Sequence, residues 1–199
     1  ELRAQGPRGM LHGVPIGIKD IYYTKDMPTT ACTPQYAGFI PSYDATSITK
    51  LKAAGAIILG KTVTTQFAAT DPSPTINPWN RDHTPGGSSS GSAVAVASRM
   101  CSAALGSQTA GSTIRPAAYN GIVGFKPTYG RISKYGIVPL SWSLDTVGIL
   151  TRSAEDCAIL LQVLSGHDPK DHSSSNLPSD DYMTGLNRLE NPPKIGVAH

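Results

Sequence analysis

The 199-residue sequence is poor in charge, because Asp, Glu, Lys and Arg make up only 16% of it, against roughly 25% in an average soluble protein. Since 39% of the residues are hydrophobic, the chain is expected to collapse around a core, which excludes charge-driven disorder. The net charge of +3 is small and dispersed, so no nucleic-acid-binding surface is predicted. No apolar run approaches the roughly 20 residues of a membrane span, and none is predicted.

Cysteine is also scarce. Cys32, Cys101 and Cys157 lack the spacing of a metal site, and three cysteines cannot all pair within the chain. This pattern predicts a reduced, cytoplasmic setting without a structural disulfide framework. It also predicts no metal site.

Glycine and proline are plentiful, with 20 and 16 residues, and they separate short apolar segments. Asp44 is an expected N-cap for a helix ending at Ala54, and a fully buried strand is expected at residues 56–59. Ser153 is predicted to cap a helix that runs to Leu164. A helix followed by glycine and a buried strand predicts an α/β fold. We expect one domain over residues 1–199, cut from a longer chain, because residues 194–199 read as the start of a further strand.

A glycine-serine loop occupies residues 86–91 and leads directly into a helix of small residues at 92–98. Three interpretations remain open for it: a flexible linker, an anion-binding loop at a helix N-terminus, or a catalytic loop. The third has a physical basis, because glycines let the backbone approach a substrate while a serine hydroxyl points into the site.

A second loop of small residues, 106–116, again contains a serine among backbone amides that can converge. Acyl transfer needs this combination of a nucleophile and donors for the oxyanion. A serine also needs a base, and none of the five histidines lies in an informative pattern. A buried lysine can replace histidine when desolvation leaves it neutral. Lys19 and Lys61 both follow apolar segments, and composition does not choose between them.

These features together resemble the amidase signature family. The resemblance covers most of the chain and rests on segments that occur in the family's order: residues 12–20 (HGVPIGIKD), 54–62 (AGAIILGKT), 77–80 (NPWN), 85–92 (PGGSSSGS), the loop around Ser112, and 121–128 (GIVGFKPT). The resemblance implies an α/β fold in which helices cover both faces of a mixed sheet. It also implies an amidase that uses neither a metal nor an organic cofactor.

The family's Ser–cis-Ser–Lys triad carries over to three residues of this sequence. Ser112 is then the nucleophile, Ser88 the bridging serine after a cis peptide bond, and Lys19 the base. The implied oxyanion hole consists of the backbone amides of Thr109, Ala110, Gly111 and Ser112. The implied reaction is hydrolysis of a carboxamide C–N bond through a covalent acyl-enzyme.

The sequence departs from the common family pattern around the nucleophile. Gln108 stands where many members have Asp, and Ala110 stands where they have Gly. Arg115 follows Ser112 by three residues rather than two, which resembles the branch that includes malonamidase. The resemblance implies that Arg115 binds a substrate carboxylate. The alternative is a structural ion pair with a carboxylate such as Asp145.

The expected function is therefore that of an amidase acting on a small-molecule amide, with a homodimer as a possible assembly. Two alternatives are kept. One is the glutaminase-type subunit of a tRNA-dependent amidotransferase, against which Gln108 and the shifted Arg115 argue. The other is a catalytically silent fragment that only binds a ligand or partner.

Overall fold

The computed structural model describes residues 6–186 together with 194 and 196. Its strands and helices are β1 (Pro15–Lys19), α1 (Thr46–Ala53), β2 (Ile57–Thr62), α2 (Ser90–Ala97), β3 (Ala103–Gln108), α3 (Ile114–Asn120), β4 (Val123–Phe125), β5 (Thr146–Thr151), α4 (Ala154–Leu164) and α5 (Tyr182–Gly185). The strand expected from residue 194 onward lies outside the described residues, apart from 194 and 196. In the described part of the chain, no helix has the length and apolar character needed to cross a membrane.

The five strands form one sheet in the order β2-β1-β3-β5-β4. Strand β1 lies parallel to both β2 and β3, whereas β5 lies antiparallel to β3 and β4. The sheet is therefore mixed, which confirms that part of the expected fold.

Helices pack on both faces of this sheet, and the register of β3 against β5 shows why. The paired residues Leu105 and Ile149 belong to the main core, which also includes apolar side chains of α1 and α4. The next pair, Ala104 and Leu150, belongs to a second cluster with α2 and α3. Because side chains alternate between the two faces of a strand, these clusters lie on opposite sides of the sheet. The predicted cover of helices on both faces is confirmed.

The parallel pairing of β1 and β3 positions the candidate site, since the carboxyl ends of both strands then lie at the same end of the sheet. Lys19 ends β1, and Gln108 ends β3. The loop before α2 approaches β3 very closely at Gly106. A Cβ atom on Gly106 would lie 2.8 Å from Ser89 Oγ, so only glycine allows this approach.

Two details of the sequence-based elements are wrong, and one strand was missed. The N-cap of α1 is Ala45, while Asp44 accepts from the Lys25 backbone and pairs with Lys52 at 2.6 Å. Strand β2 is not fully buried, because it lies at the sheet edge with Ile57 and Leu59 each about half exposed. Strand β5 was not predicted. It is buried on both faces and so lacks the alternation that marks a half-buried strand.

Gly148 in β5 leaves room for the residue that follows the candidate nucleophile. A Cβ atom there would lie 1.9 Å from Thr113 Oγ1 and 2.8 Å from Thr113 Cβ. We expect Gly148→Ala to lower the melting temperature by about 2–12 °C, because overpacking a core costs about 1–3 kcal/mol and each kcal/mol shifts the midpoint by about 2–4 °C. Thermal unfolding measures this. Gly38→Ala is the matched control, since its Cβ would meet no atom within 4 Å. Equal midpoints for the two variants would contradict the packing argument.

Candidate active site

Lys19 is the centre of the site. Its side chain is fully buried at the end of β1, and its amine lies 2.7 Å from Ser88 Oγ, 3.0 Å from Ser89 Oγ and 2.8 Å from Ser107 Oγ. The three hydroxyls come from two segments, the glycine-serine loop and the end of β3. Backbone folding therefore surrounds the amine with neutral oxygen atoms rather than with carboxylates.

Burial lowers the pKa of Lys19 from 10.5 to about 7, because a charged ammonium is poorly solvated there. The negative charge of Asp145 opposes this shift and raises the pKa, but its effect is smaller. A substantial fraction of Lys19 is consequently neutral at physiological pH. A neutral amine can accept a proton, which an ammonium cannot.

Ser89 determines how the amine is oriented. Its hydroxyl donates to the Ser107 carbonyl at 3.2 Å, and it accepts from the Ser107 N–H at 3.1 Å and from Lys19. A neutral amine has two N–H donors and one lone pair. When its N–H groups bind Ser89 and Ser107, the lone pair faces Ser88. The arrangement thus suits proton transfer from the Ser88 hydroxyl to Lys19.

The peptide bond between Gly87 and Ser88 is cis. The Ser88 carbonyl accepts a hydrogen bond from the Thr65 N–H at 3.2 Å, and the neighbouring Ser89 N–H donates to the Ser112 carbonyl at 3.2 Å. This last contact places Ser112 beside the segment that contacts Lys19. Ser112 itself is 8% exposed, so it lies at the boundary between the buried lysine and solvent.

The loop of residues 109–112 connects β3 to Ser112. Among the described residues, its four backbone amides donate to no protein acceptor. The next two amides differ, because Thr113 N–H and Ile114 N–H both donate to Gln108 Oε1 at 3.0 Å. Gln108 thus satisfies the first amides of α3, while the amides of residues 109–112 stay available to a ligand.

Arg115 contacts the glycine-serine loop at Gly87. Its Nε and Nη2 donate to the Gly87 carbonyl at 3.1 and 2.8 Å. A guanidinium has five N–H donors, so donors remain for a ligand. Arg115 also lines a cavity of about 300 Å³ with Thr65, Asp71 and Tyr119. Its binding of a substrate carboxylate stays a prediction.

The sequence analysis raised two alternatives for site residues: an ion pair of Arg115 with Asp145, and Lys61 in place of Lys19 as the base. Asp145 accepts from Thr109 Oγ1, Leu140 N–H and Ser141 N–H, and no Arg115–Asp145 ion pair occurs among the described residues. Lys61 donates to Thr24 and Thr29 and to the Tyr22 carbonyl, and it lies 3.5 Å from Asp20. Lys61 therefore ties neighbouring segments together, whereas Lys19 contacts the serines.

The sequence analysis missed Ser89 and Ser107 as partners of Lys19. A signal existed for both residues: Ser89 directly follows Ser88, and Ser107 precedes the loop that leads to Ser112. For a metal, the described residues contain no cluster of three or more His, Cys, Asp or Glu side chains.

Known proteins resemble the chain over its whole length. The family model described as Amidase matches residues 1–199. Among curated relatives, a glutamyl-tRNA(Gln) amidotransferase subunit of Desulforapulum autotrophicum is 48% identical over 185 residues, covering 90% of this chain. The chain spans about 40% of the length of such relatives, with 38% in this case and 41% for the corresponding protein of Geobacter metallireducens.

Solved structures of related proteins also superpose on this chain. Native peptide amidase from Stenotrophomonas maltophilia superposes with a TM-score of 0.85 at 38% identity, covering 92% of this chain and 40% of that one. The glutamyl-tRNA(Gln) amidotransferase subunit from Thermotoga maritima gives a TM-score of 0.81 at 41% identity, covering 84% of this chain and 39% of that one.

These relatives correct one expectation. We expected a small-molecule amide and at most a second copy of the chain as partners, with no nucleic acid. That expectation is wrong, because the curated relatives bear the name of one component of an amidotransferase and a tRNA is part of that name.

The fold, the serine-lysine arrangement and the family model over residues 1–199 agree, and the chain belongs to the amidase family.

Proposed function

We propose that this chain breaks a carboxamide C–N bond with Ser112, Ser88 and Lys19, as the glutaminase part of a tRNA-dependent amidotransferase. The observation that carries the chemical proposal is the fully buried Lys19 amine, 2.7 Å from Ser88 Oγ. Within the described residues this lysine has no ion-pair partner to hold a charge, so it serves best as a proton acceptor.

In the first half-reaction, neutral Lys19 accepts the Ser88 proton while Ser88 accepts the Ser112 proton. Ser112 Oγ then forms a bond to the amide carbon, and the carbonyl oxygen becomes an oxyanion. The available amides of residues 109–112 stabilise that charge, and one such donor is worth about 3–4 kcal/mol of barrier in other hydrolases. The proton returns through Ser88 to the amide nitrogen as the C–N bond breaks.

In the second half-reaction, water attacks the acyl group on Ser112. Its proton passes through Ser88 to Lys19, and collapse of the second tetrahedral intermediate restores the Ser112 hydroxyl. The products are a carboxylic acid and ammonia. In an amidotransferase, a partner subunit would use this ammonia to amidate the glutamyl group carried by tRNA.

The amidotransferase assignment is supported by relatives 45–50% identical to this chain that share the name of this amidotransferase component. The sequence analysis gave two arguments against it, Gln108 and the position of Arg115. The contacts of Gln108 weaken the first, because its side-chain oxygen accepts from the amides of Thr113 and Ile114. An acceptor at this position therefore remains although Asp is absent.

A second candidate function is hydrolysis of a peptide amide. It is favoured by peptide amidase from Stenotrophomonas maltophilia, which is 38% identical and superposes with a TM-score of 0.85. Both candidates would use the proposed triad; they differ in the amide bound and in the need for partner subunits.

Ser112→Ala should abolish labelling of the complete protein by a fluorophosphonate, because the probe reacts with activated serine hydroxyls. Lys19→Met should slow labelling by at least about 100-fold, the usual contribution of a general base. Peptide mapping locates the adduct, and labelling quenched at a series of times gives its rate. Ser98→Ala is the control, since Ser98 lies at the end of α2, away from the contacts of Lys19. An adduct on a serine other than Ser112 would overturn the assignment of the nucleophile.

Two ammonia-release assays of the complete protein distinguish the two candidate functions. Ammonia release from glutamine, stimulated by co-purified partner subunits, is the outcome expected of the amidotransferase component. Ammonia release from a C-terminally amidated peptide by the isolated chain would replace that assignment with the second candidate. Release from neither substrate, together with an unlabelled Ser112, would favour the alternative of a silent binding protein.

The pKa of Lys19 also predicts how stability depends on pH. The folded pKa is about 7 and the ordinary value is 10.5, so the unfolded state binds more protons between these values. Stability should therefore rise with pH in that window. Relative to Lys19→Met, the wild type should gain about 2 kcal/mol between pH 6.5 and 9. Urea unfolding at both pH values measures the difference.

The matched control is Lys25→Met, which removes an exposed lysine and should leave the pH dependence of the wild type intact. If Lys19→Met and the wild type changed in parallel with pH, Lys19 would be charged throughout, and its role as the base would be lost.

A further inference from the structure

Asp145 lies directly opposite the start of the loop that precedes Ser112. In the antiparallel ladder of β3 and β5, Gln108 pairs with Thr146. Continuing the ladder by one step brings Thr109 opposite Asp145. The sheet thus delivers a carboxylate to the first residue of the 109–112 loop, although 36 residues separate the two in sequence.

The carboxylate of Asp145 connects two loops. Its Oδ1 accepts from Thr109 Oγ1 at 2.5 Å, and its Oδ2 accepts from the backbone N–H groups of Leu140 and Ser141 at 2.8 and 2.9 Å. Hydrogen bonds to an ionised acceptor are about twice as strong as bonds between neutral groups. Asp145 therefore holds Thr109 against the turn at residues 139–145 through three donors.

Thr109 borders a cavity of about 30 Å³, which Ser107, Leu140 and Asp145 also line. Thr109 and Asp145 are both only partly buried. The loop could shift into this space if its hydrogen bond to the carboxylate were lost.

We propose that Asp145 is a positioning residue, which fixes the 109–112 amides for the oxyanion through Thr109. This inference rests on the proposed function, because the oxyanion forms only if Ser112 attacks an amide. Asp145 contacts neither Ser112 nor Lys19 by a hydrogen bond within the described residues, so it acts through other groups.

The negative charge of Asp145 provides a second readout, because it affects the pKa of Lys19. The groups in hydrogen-bond contact with the amine are the hydroxyls of Ser88, Ser89 and Ser107. Of the titratable groups near the end of β1, Tyr22 donates its hydroxyl to the Gly106 carbonyl, and Asp20 is paired with Lys61. Asp145 raises the pKa of Lys19 against the larger effect of burial, and burial together with Asp145 raises the pKa of Tyr22.

Asp145→Asn tests the proposal in the complete protein. The amide either turns its NH₂ toward the N–H groups of Leu140 and Ser141, or keeps its oxygen there and donates to Thr109 Oγ1 in a weaker bond between neutral groups. We expect kcat to fall at least about tenfold, because misplaced donors stabilise the oxyanion poorly. The acid limb of the pH-rate profile should also move to lower pH, since a neutral side chain no longer favours the ammonium form of Lys19.

Thr109→Val separates the hydrogen bond from the charge. It preserves the branched shape and removes the hydroxyl donor, so kcat should fall by a similar factor while the acid limb stays in place. Thr109→Ser should recover most of that loss. The double variant should be no slower than either single variant, because both remove the same link. Ser143→Ala, on the exposed turn, is the control.

A double variant about 100-fold slower than the wild type would show independent effects and overturn the proposed link. An unmoved acid limb in Asp145→Asn would overturn the effect of its charge. Hydrogen exchange of the 109–112 amides gives a readout that needs no turnover. We expect faster exchange in both single variants, and unchanged exchange would overturn the proposal. An unlabelled Ser112 in the wild type would instead count against the proposed function, with the exchange experiment still deciding the role of Asp145.

Discussion

The burial of one amine is the constraint on which the site depends. Lys19 lies at the end of a central strand, and no carboxylate in the described part of the chain contacts its nitrogen. The hydroxyls beside it satisfy its hydrogen bonds without stabilising its charge as an ion pair would. The pKa consequently falls to about 7, which makes the lysine a base near neutral pH.

Close backbone approach makes this burial possible. The three serines reach Lys19 because the glycine-serine loop lies directly against β3, at Gly106, where a Cβ atom would collide with Ser89 Oγ. A comparable close approach occurs between Gly148 and Thr113, the residue after Ser112. The small residues of these segments are therefore a packing requirement, and flexibility is not their main role. The linker interpretation of the glycine-serine loop does not describe this arrangement.

The site depends on both the parallel and the antiparallel pairing of the mixed sheet. Parallel pairing of β1 with β3 brings Lys19 and the loop of Ser112 to the same end of the strands. Antiparallel pairing of β3 with β5 brings Asp145, which precedes β5, to that same end. In a purely parallel sheet, the start of β5 would lie at the opposite end. The site therefore contains residues that only a mixed sheet brings together.

By itself, the sequence determined the family, the α/β class and the three residues proposed as the triad, because short ordered motifs record local backbone requirements and residue chemistry. It also located α2 and α4 closely, since small-residue runs and the Ser153 cap act within a few residues. Only the tertiary structure decided which residues from distant segments contact one another. Strand β5 has no alternation because both of its faces are covered, and Ser107, Ser89 and Asp145 acquire their partners only through sheet register. Such contacts depend on pairing across 36 to 88 residues, which no local pattern encodes.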